Sequence, residues 1–181
     1  LPENSIVGFE FALSIGVDLL EFDVLLCRED IPVITHNYEF DGSAVRGADG
    51  AFLNGDYERV ASLTMAEIER FDIGRLNADT EYGRRFPDQA QMDGVRVPRL
   101  GELLHLVSQP RYATACLMLE LKSDPDFAQD SAVRERIVSV ICRDVRQAKL
   151  ADRTLLHSFD WALLAECRRQ APDMPLSFLT Q

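Results

Sequence analysis

The sequence predicts an α/β fold built on a parallel sheet. Three observations point there. Short apolar runs alternate with amphipathic stretches along most of the chain. The apolar runs are nearly continuous, as expected of strands covered on both faces. The length of 181 residues, 46% of them hydrophobic, suits one domain with a buried core.

Residues 4–16 read as a helix. Asn4 or Ser5 can cap it, Ile6, Phe9, Ala12 or Leu13, and Ile15 fall near one face, and Gly16 supplies the stop. Residues 17–26 read as a buried strand. After a turn at 28–31, "PVITH" at 32–36 reads as a second short strand. Residues 37–98 are less regular and rich in Gly, Asp, Asn and Arg, with one clear helix: Thr64 and Glu67 form a T-x-x-E capping box before "MAEIERF". A second short helix, 100–107, follows Pro98.

The alternation then resumes. "TACLMLELK" (114–122) is a buried strand, and 131–149 is a long helix with Val138, Ile141, Cys142 and Val145 on one side. "RTLLHSF" (153–159) is a strand, Asp160 caps the helix "WALLAECRRQA", and "PLSFLT" (175–180) is the last strand. An open doubly wound sheet and a (β/α)8 barrel both fit this order. Neither glycine-rich nucleotide fingerprint is present to favour the former.

Composition removes several function classes. The net charge is −11, and the longest basic groupings, Arg84-Arg85 and Arg168-Arg169, are too short for a phosphate-backbone footprint, so no nucleic-acid partner is expected. No apolar run reaches the roughly 18 residues of a membrane-spanning helix. Cys27, Cys116, Cys142 and Cys167 are widely spaced, with no Cys/His cluster suited to zinc, and read as small buried hydrophobes.

Chemistry enters through the strands. "GVDLLEFDVLL" (16–26) places Glu21 and Asp23 on one face, with Leu20, Phe22 and Val24 on the other. "LELK" repeats the pattern: Glu120 and Lys122 share a face opposite Leu119 and Leu121. Both pairs lie toward the C-terminal ends of their strands, where α/β folds build sites. Buried carboxylates need compensating charge, and Lys122 supplies only one. A hard divalent cation, Mg²⁺ or Ca²⁺, compensates Glu21, Asp23 and Glu120 economically, with oxygens expected about 4–6 Å apart around one ion. The alternative is a purely structural ion-pair network. His36, just after the short strand, can return near the acids as a proton carrier. His105 reads as packing or surface, and the facing of His157 is ambiguous.

"LPENSIVGFEFALSIGVDLLEFDV" followed by "DIPVITHN" resembles the glycerophosphodiester phosphodiesterase family, with its P-E-N-[ST], E-x-D-V and P-V-x-x-H-D pattern. "LTMAEIERFDIG", "VPRLGELL", "LELK" and "HSFD" follow in order, so the resemblance spans essentially the whole chain. It implies a (β/α)8 TIM barrel, partial here: a single incomplete barrel domain over 1–181, covering strand two to about strand five, with 37–98 as a small insertion after the second barrel strand. Complete barrels of this type run to about 250 residues.

The resemblance also implies hydrolysis of a small-molecule glycerophosphodiester to sn-glycerol 3-phosphate and an alcohol. Glu21, Asp23 and Glu120 would be the ligands of a divalent cation, His36 one of two acid/base histidines, and Lys122 the neutraliser of phosphoryl charge. Pro2, Glu3 and Asn4 match the motif, with Glu3 and Asn4 joining Lys122 on the substrate side. The family's His-Arg-Gly strand, which carries the other histidine, is expected upstream of Leu1, as is any signal deciding between periplasm and cytoplasm. A chain without it is expected to be inactive alone. Asn37 stands where the family usually has Asp, and it can still accept a hydrogen bond to orient His36. A related phospholipase-type barrel acting on lipid, or a degenerate non-catalytic barrel, are the alternatives.

Overall fold

Ser5, not Asn4, caps the first helix of the computed structural model, which describes residues 1–55, 58–126 and 129–180. Its hydroxyl accepts from Gly8 N and donates to Pro2 O at 2.6 Å, closing the turn into α1 (Ile6–Ser14). Phe9 and Leu13 of α1 are buried, and Phe9 meets Phe22 edge-on at 5.8 Å. Ile15, expected on that face, is exposed: the helix ends at Ser14, and Gly16 at φ +89° turns the chain away.

β1 (Leu19–Leu26) is followed by β2 (Pro32–Ile34), which pairs antiparallel to it with Val24 opposite Ile34. The turn expected at 28–31 thus makes a hairpin, and β2 is the antiparallel strand beside an otherwise parallel sheet. A parallel neighbour needs a crossover of a dozen or more residues, and only 27–31 join the two strands. The reversal is made at Asp30, φ +58°, and closed by Cys27 N to Ile31 O at 3.1 Å. β2 ends at Ile34, so Thr35 and His36 lie beyond it.

The stretch 37–98, in which 56 and 57 fall outside the described residues, is more ordered than its composition suggested. β3 (Glu39–Phe40) and β4 (Glu58–Arg59) form a small antiparallel ladder. The capping box forms at α2 (Met65–Ile68), and Thr80 caps a short α3 (Glu81–Arg85) that the sequence reading did not contain. Phe40, Val45, Val60, Leu63, Met65, Ile68 and Val97 pack with Leu25, Cys27 and Val33 into a second, smaller core seated on the β1–β2 hairpin.

α4 (Leu100–Val107) leads to β5 (Cys116–Leu121), α5 (Ser131–Gln147), β6 (Thr154–Ser158), α6 (Trp161–Gln170) and β7 (Leu176–Phe178). The sheet order is β2-β1-β5-β6-β7, and β1, β5, β6 and β7 run parallel. Phe22, Val24, Leu117, Leu119, Leu121 and Leu156 bury against α1, α4, α5 and α6 in the main core. Each such side chain contributes roughly 1.5–3 kcal/mol of burial. Ser158 Oγ donates to Leu121 O at 2.7 Å and fixes β6 against β5 near its end. Among the described residues β7 pairs only with β6, so the parallel strands form an open arc.

Candidate active site

The register of the arc decides which polar side chains meet. Asp23 of β1 lies opposite Glu120 of β5, and Glu120 lies opposite His157 of β6. Paired residues of parallel strands share a face, so one row of the sheet carries Asp23, Glu120 and His157. Glu21, two residues before Asp23, joins them on the same side.

The predicted carboxylates come together. Glu21, Asp23 and Glu120 each offer an oxygen, and these oxygens lie within 4.8 Å of one another. Lys122 Nζ stands 3.3 Å from Asp23 Oδ1 and 3.2 Å from Glu120 Oε1, with all three side chains buried. Burial raises the Glu120 carboxyl above the ordinary range; Lys122 opposes this and the charge of Asp23 adds to it. Burial alone would lower the Lys122 ammonium, but Asp23 and Glu120 outweigh it and the group is raised, so it stays charged at neutral pH. Three carboxylates against one ammonium leave the cluster net negative. An all-oxygen, electrostatically unbalanced donor set, two of its three members buried, fits a hard divalent cation.

Asn4 Nδ2 donates to Asp23 Oδ2 at 3.1 Å, so the segment before α1 braces one candidate ligand. Glu3 is exposed and accepts from Tyr82 Oη at 2.9 Å, and burial, with Glu3 beside it, pushes the Tyr82 phenol up to about 12. Glu3, Asn4 and His36 line one cleft, closed on its far side by Phe40, Val45 and Leu76. His36 is exposed, and its Nδ1 lies 2.9 Å from Asn37 Oδ1. That oxygen can only accept, so in the neutral ring this contact pairs with the tautomer that has its hydrogen on Nδ1 and the lone pair on Nε2. His36 is an exposed lining residue of that cleft, whereas Asp23, Glu120 and Lys122 are buried and Glu21, on their face of the arc, is exposed.

Other residues escaped sequence reasoning. Tyr38 presents its ring 5.7 Å from Lys122 Nζ, a cation–π contact. Arg59 of β4 clasps the buried Asp124 at 2.8 and 2.9 Å and also pairs with Glu39 and Asp126, tying the smaller core to the loop after Lys122. Nothing in the local sequence signals that reach. His157 had a signal: it sits in the strand whose "HSFD" follows the same polar-at-the-end pattern as "LELK".

The model of the glycerophosphoryl diester phosphodiesterase family matches residues 1–181. A glycerophosphodiester phosphodiesterase of Caldanaerobacter subterraneus subsp. tengcongensis is 24% identical, over 100% of this chain and 62% of that protein. Among solved structures, a candidate glycerophosphoryl diester phosphodiesterase from Silicibacter pomeroyi DSS-3 superposes with a TM-score of 0.96 at 50% identity, over 99% of this chain and 60% of that one. A phosphodiesterase of Oleispira antarctica, solved with the product sn-glycerol-3-phosphate, superposes with a TM-score of 0.72 at 22% identity, over 98% and 60%. The open arc is thus part of a (β/α)8 barrel, and the chain spans about three fifths of the length of these relatives.

Proposed function

The chain belongs to the glycerophosphoryl diester phosphodiesterase family, and from that we propose that its protein hydrolyses glycerophosphodiesters to sn-glycerol 3-phosphate and an alcohol. The observation that carries this reading is the convergence of Glu21, Asp23 and Glu120 beside Lys122 on one face of two neighbouring parallel strands. A phosphodiester resists attack because its anionic oxygens repel nucleophiles, and this cluster is built to offset that charge.

In this reading Glu21, Asp23 and Glu120 hold Mg²⁺ or Ca²⁺. The bound cation would supply Lewis-acid withdrawal of charge from a phosphoryl oxygen. Lys122 gives a second positive charge to the same group, fixed in place by Asp23 and Glu120 so that little reorganisation is needed as charge develops. His36, with Nδ1 engaged by Asn37, uses Nε2 to take the proton of the attacking hydroxyl or to return one to the leaving alkoxide. The complementary step falls to the histidine that the family carries in its His-Arg-Gly segment. Glu3 and Asn4 shape the substrate side of the cleft. Residues 37–98 serve as an insertion after the second barrel strand, inside one incomplete barrel domain over 1–181.

The test is release of sn-glycerol 3-phosphate from glycerophosphocholine by the full-length protein, with and without Mg²⁺ or Ca²⁺. Cation-dependent release that Glu120→Gln abolishes is the expected result. No release with either cation, or release from a lipid substrate alone, overturns the reading.

A further inference from the structure

Of the three carboxylates, Glu21 is the one without a brace from Lys122. Asp23 and Glu120 both touch that ammonium, and Asp23 is also held by Asn4. The Glu21 side chain is 52% exposed, and the group beside it is the His157 imidazole, whose Nε2 stands 3.4 Å from Glu21 Oε1. His157 is only 3% exposed, and neither of its ring nitrogens makes a hydrogen bond. A buried imidazole with both nitrogens unsatisfied is costly, and if filling volume were its task a Phe or Leu would do better. His157 lies in register with Glu120, and its Nε2 is beside the one candidate ligand that no other side chain holds among the described residues.

We propose that His157 is the positioning residue for Glu21: Nε2–H donates to Oε1 and sets the carboxylate for the cation. The inference rests on the metal site proposed above. The imidazole acts through Glu21 and is not itself a ligand, because the oxygens that lie within 4.8 Å of one another belong to Glu21, Asp23 and Glu120 without it. At 3.4 Å the pair makes no hydrogen bond as it stands; a small turn of the half-exposed Glu21 side chain that aligns Oε1 with Nε2–H at about 2.7–3.2 Å satisfies the nitrogen. The site is thus incomplete with Lys122 and Asn4 alone; β6 supplies the third brace.

Isothermal titration of Mg²⁺ and Ca²⁺ into the metal-stripped full-length protein tests this, with thermal unfolding run alongside. His157→Phe, which fills the volume and removes the donor, should weaken cation binding by about 10–100-fold. His157→Gln, whose amide can donate, should recover most of that loss. Should the Phe variant fail to fold, His157→Leu replaces it. In a Glu21→Gln background the same His157 substitution should cost no further affinity, because the carboxylate it serves is gone. A His157→Phe protein that binds as wild type does, or a His157 effect undiminished in the Glu21→Gln background, overturns the proposal. Wild-type protein that binds neither cation removes the metal-site reading and this inference with it; a cation-binding wild type with an indifferent His157→Phe removes this inference alone.

Discussion

Asn4 Nδ2 donates to Asp23 Oδ2 at 3.1 Å from a backbone held at φ +48°. Left-handed backbone is disfavoured for residues with a Cβ, and Asn is among the few that enter it routinely. One residue thus satisfies two demands: it turns the chain ahead of α1 and it holds a carboxylate in the cluster. The two separate by mutation. Asn4→Gly should keep the turn and lose the brace, leaving the melting temperature near wild type while cation affinity falls by about tenfold. Asn4→Ala should lose both, with an added destabilisation of about 1–2 kcal/mol. Calorimetric titration and thermal unfolding of the two variants check this.

Lys122 is a buried cation between two buried acids. Lys122→Met leaves Asp23 and Glu120 facing each other without compensation, and the metal-free protein should lose about 3–5 kcal/mol. A divalent cation supplies the missing charge, so millimolar Mg²⁺ or Ca²⁺ should restore more stability to this variant than to wild type. Urea midpoints with and without cation measure the difference; equal gains would refute it.

Asp160 gives a pH dependence of definite sign. It caps α6 by accepting from Ala162 N and Leu163 N, and it pairs with Arg134 of α5 at 3.0 Å. Burial alone would raise its carboxyl, but hydrogen bonds from Arg134, Ser123 and Leu163 outweigh burial and hold it below 3.8. A depressed folded pKa means stability fully present above the unfolded value and lost as pH falls through the folded one. The stability gap between wild type and Asp160→Asn should be constant from pH 5 to 7 and close progressively below about pH 4. Asp160→Ala should lose about 1–2 kcal/mol more broadly, because the cap itself goes. Denaturant melts across pH 2.5–7 decide it.

His36 lines the cleft and is not among the three carboxylates that cluster, so chemistry and cation binding should separate. His36→Ala should lower kcat by about 10²–10⁴-fold, the usual weight of a general acid or base, with cation affinity unchanged. Asn37→Leu should lower kcat less, through loss of the 2.9 Å contact that fixes the ring, and Asn37→Asp should retain activity. Steady-state kinetics paired with calorimetry separates the two effects; a His36→Ala protein with full activity would remove His36 from the mechanism.

The strand-borne part of this site was legible because strands have a period of two. Glu21 with Asp23, and Glu120 with Lys122, announced their shared faces before any register was known. The register itself was not legible: that Glu120 lies opposite His157 depends on how β5 and β6 slide against each other, and no local pattern fixes that. The antiparallel turn into β2 was foreseeable from the shortness of 27–31, which leaves no room for a crossover. Arg59 reaching Asp124 across 65 positions, and the left-handed Asn4, are products of tertiary placement. α3 was missed because its apolar content is a single tyrosine, leaving only the Thr80 cap to mark it.

The smaller core rests on Leu25, Cys27 and Val33, at the tip of the β1–β2 hairpin, while Glu21 and Asp23 sit further down the same strand among residues anchored by the main core. The hairpin works as a hinge-post shared by two tenants. Sequence between β2 and α4 can drift and reshape the cleft lined by Phe40, Val45 and Leu76 without disturbing the row of acids. In the reading proposed above, selectivity for the alcohol and competence for the reaction would then be free to diverge at separate rates, with Arg59 and Asp124 as the strap that keeps the two in step.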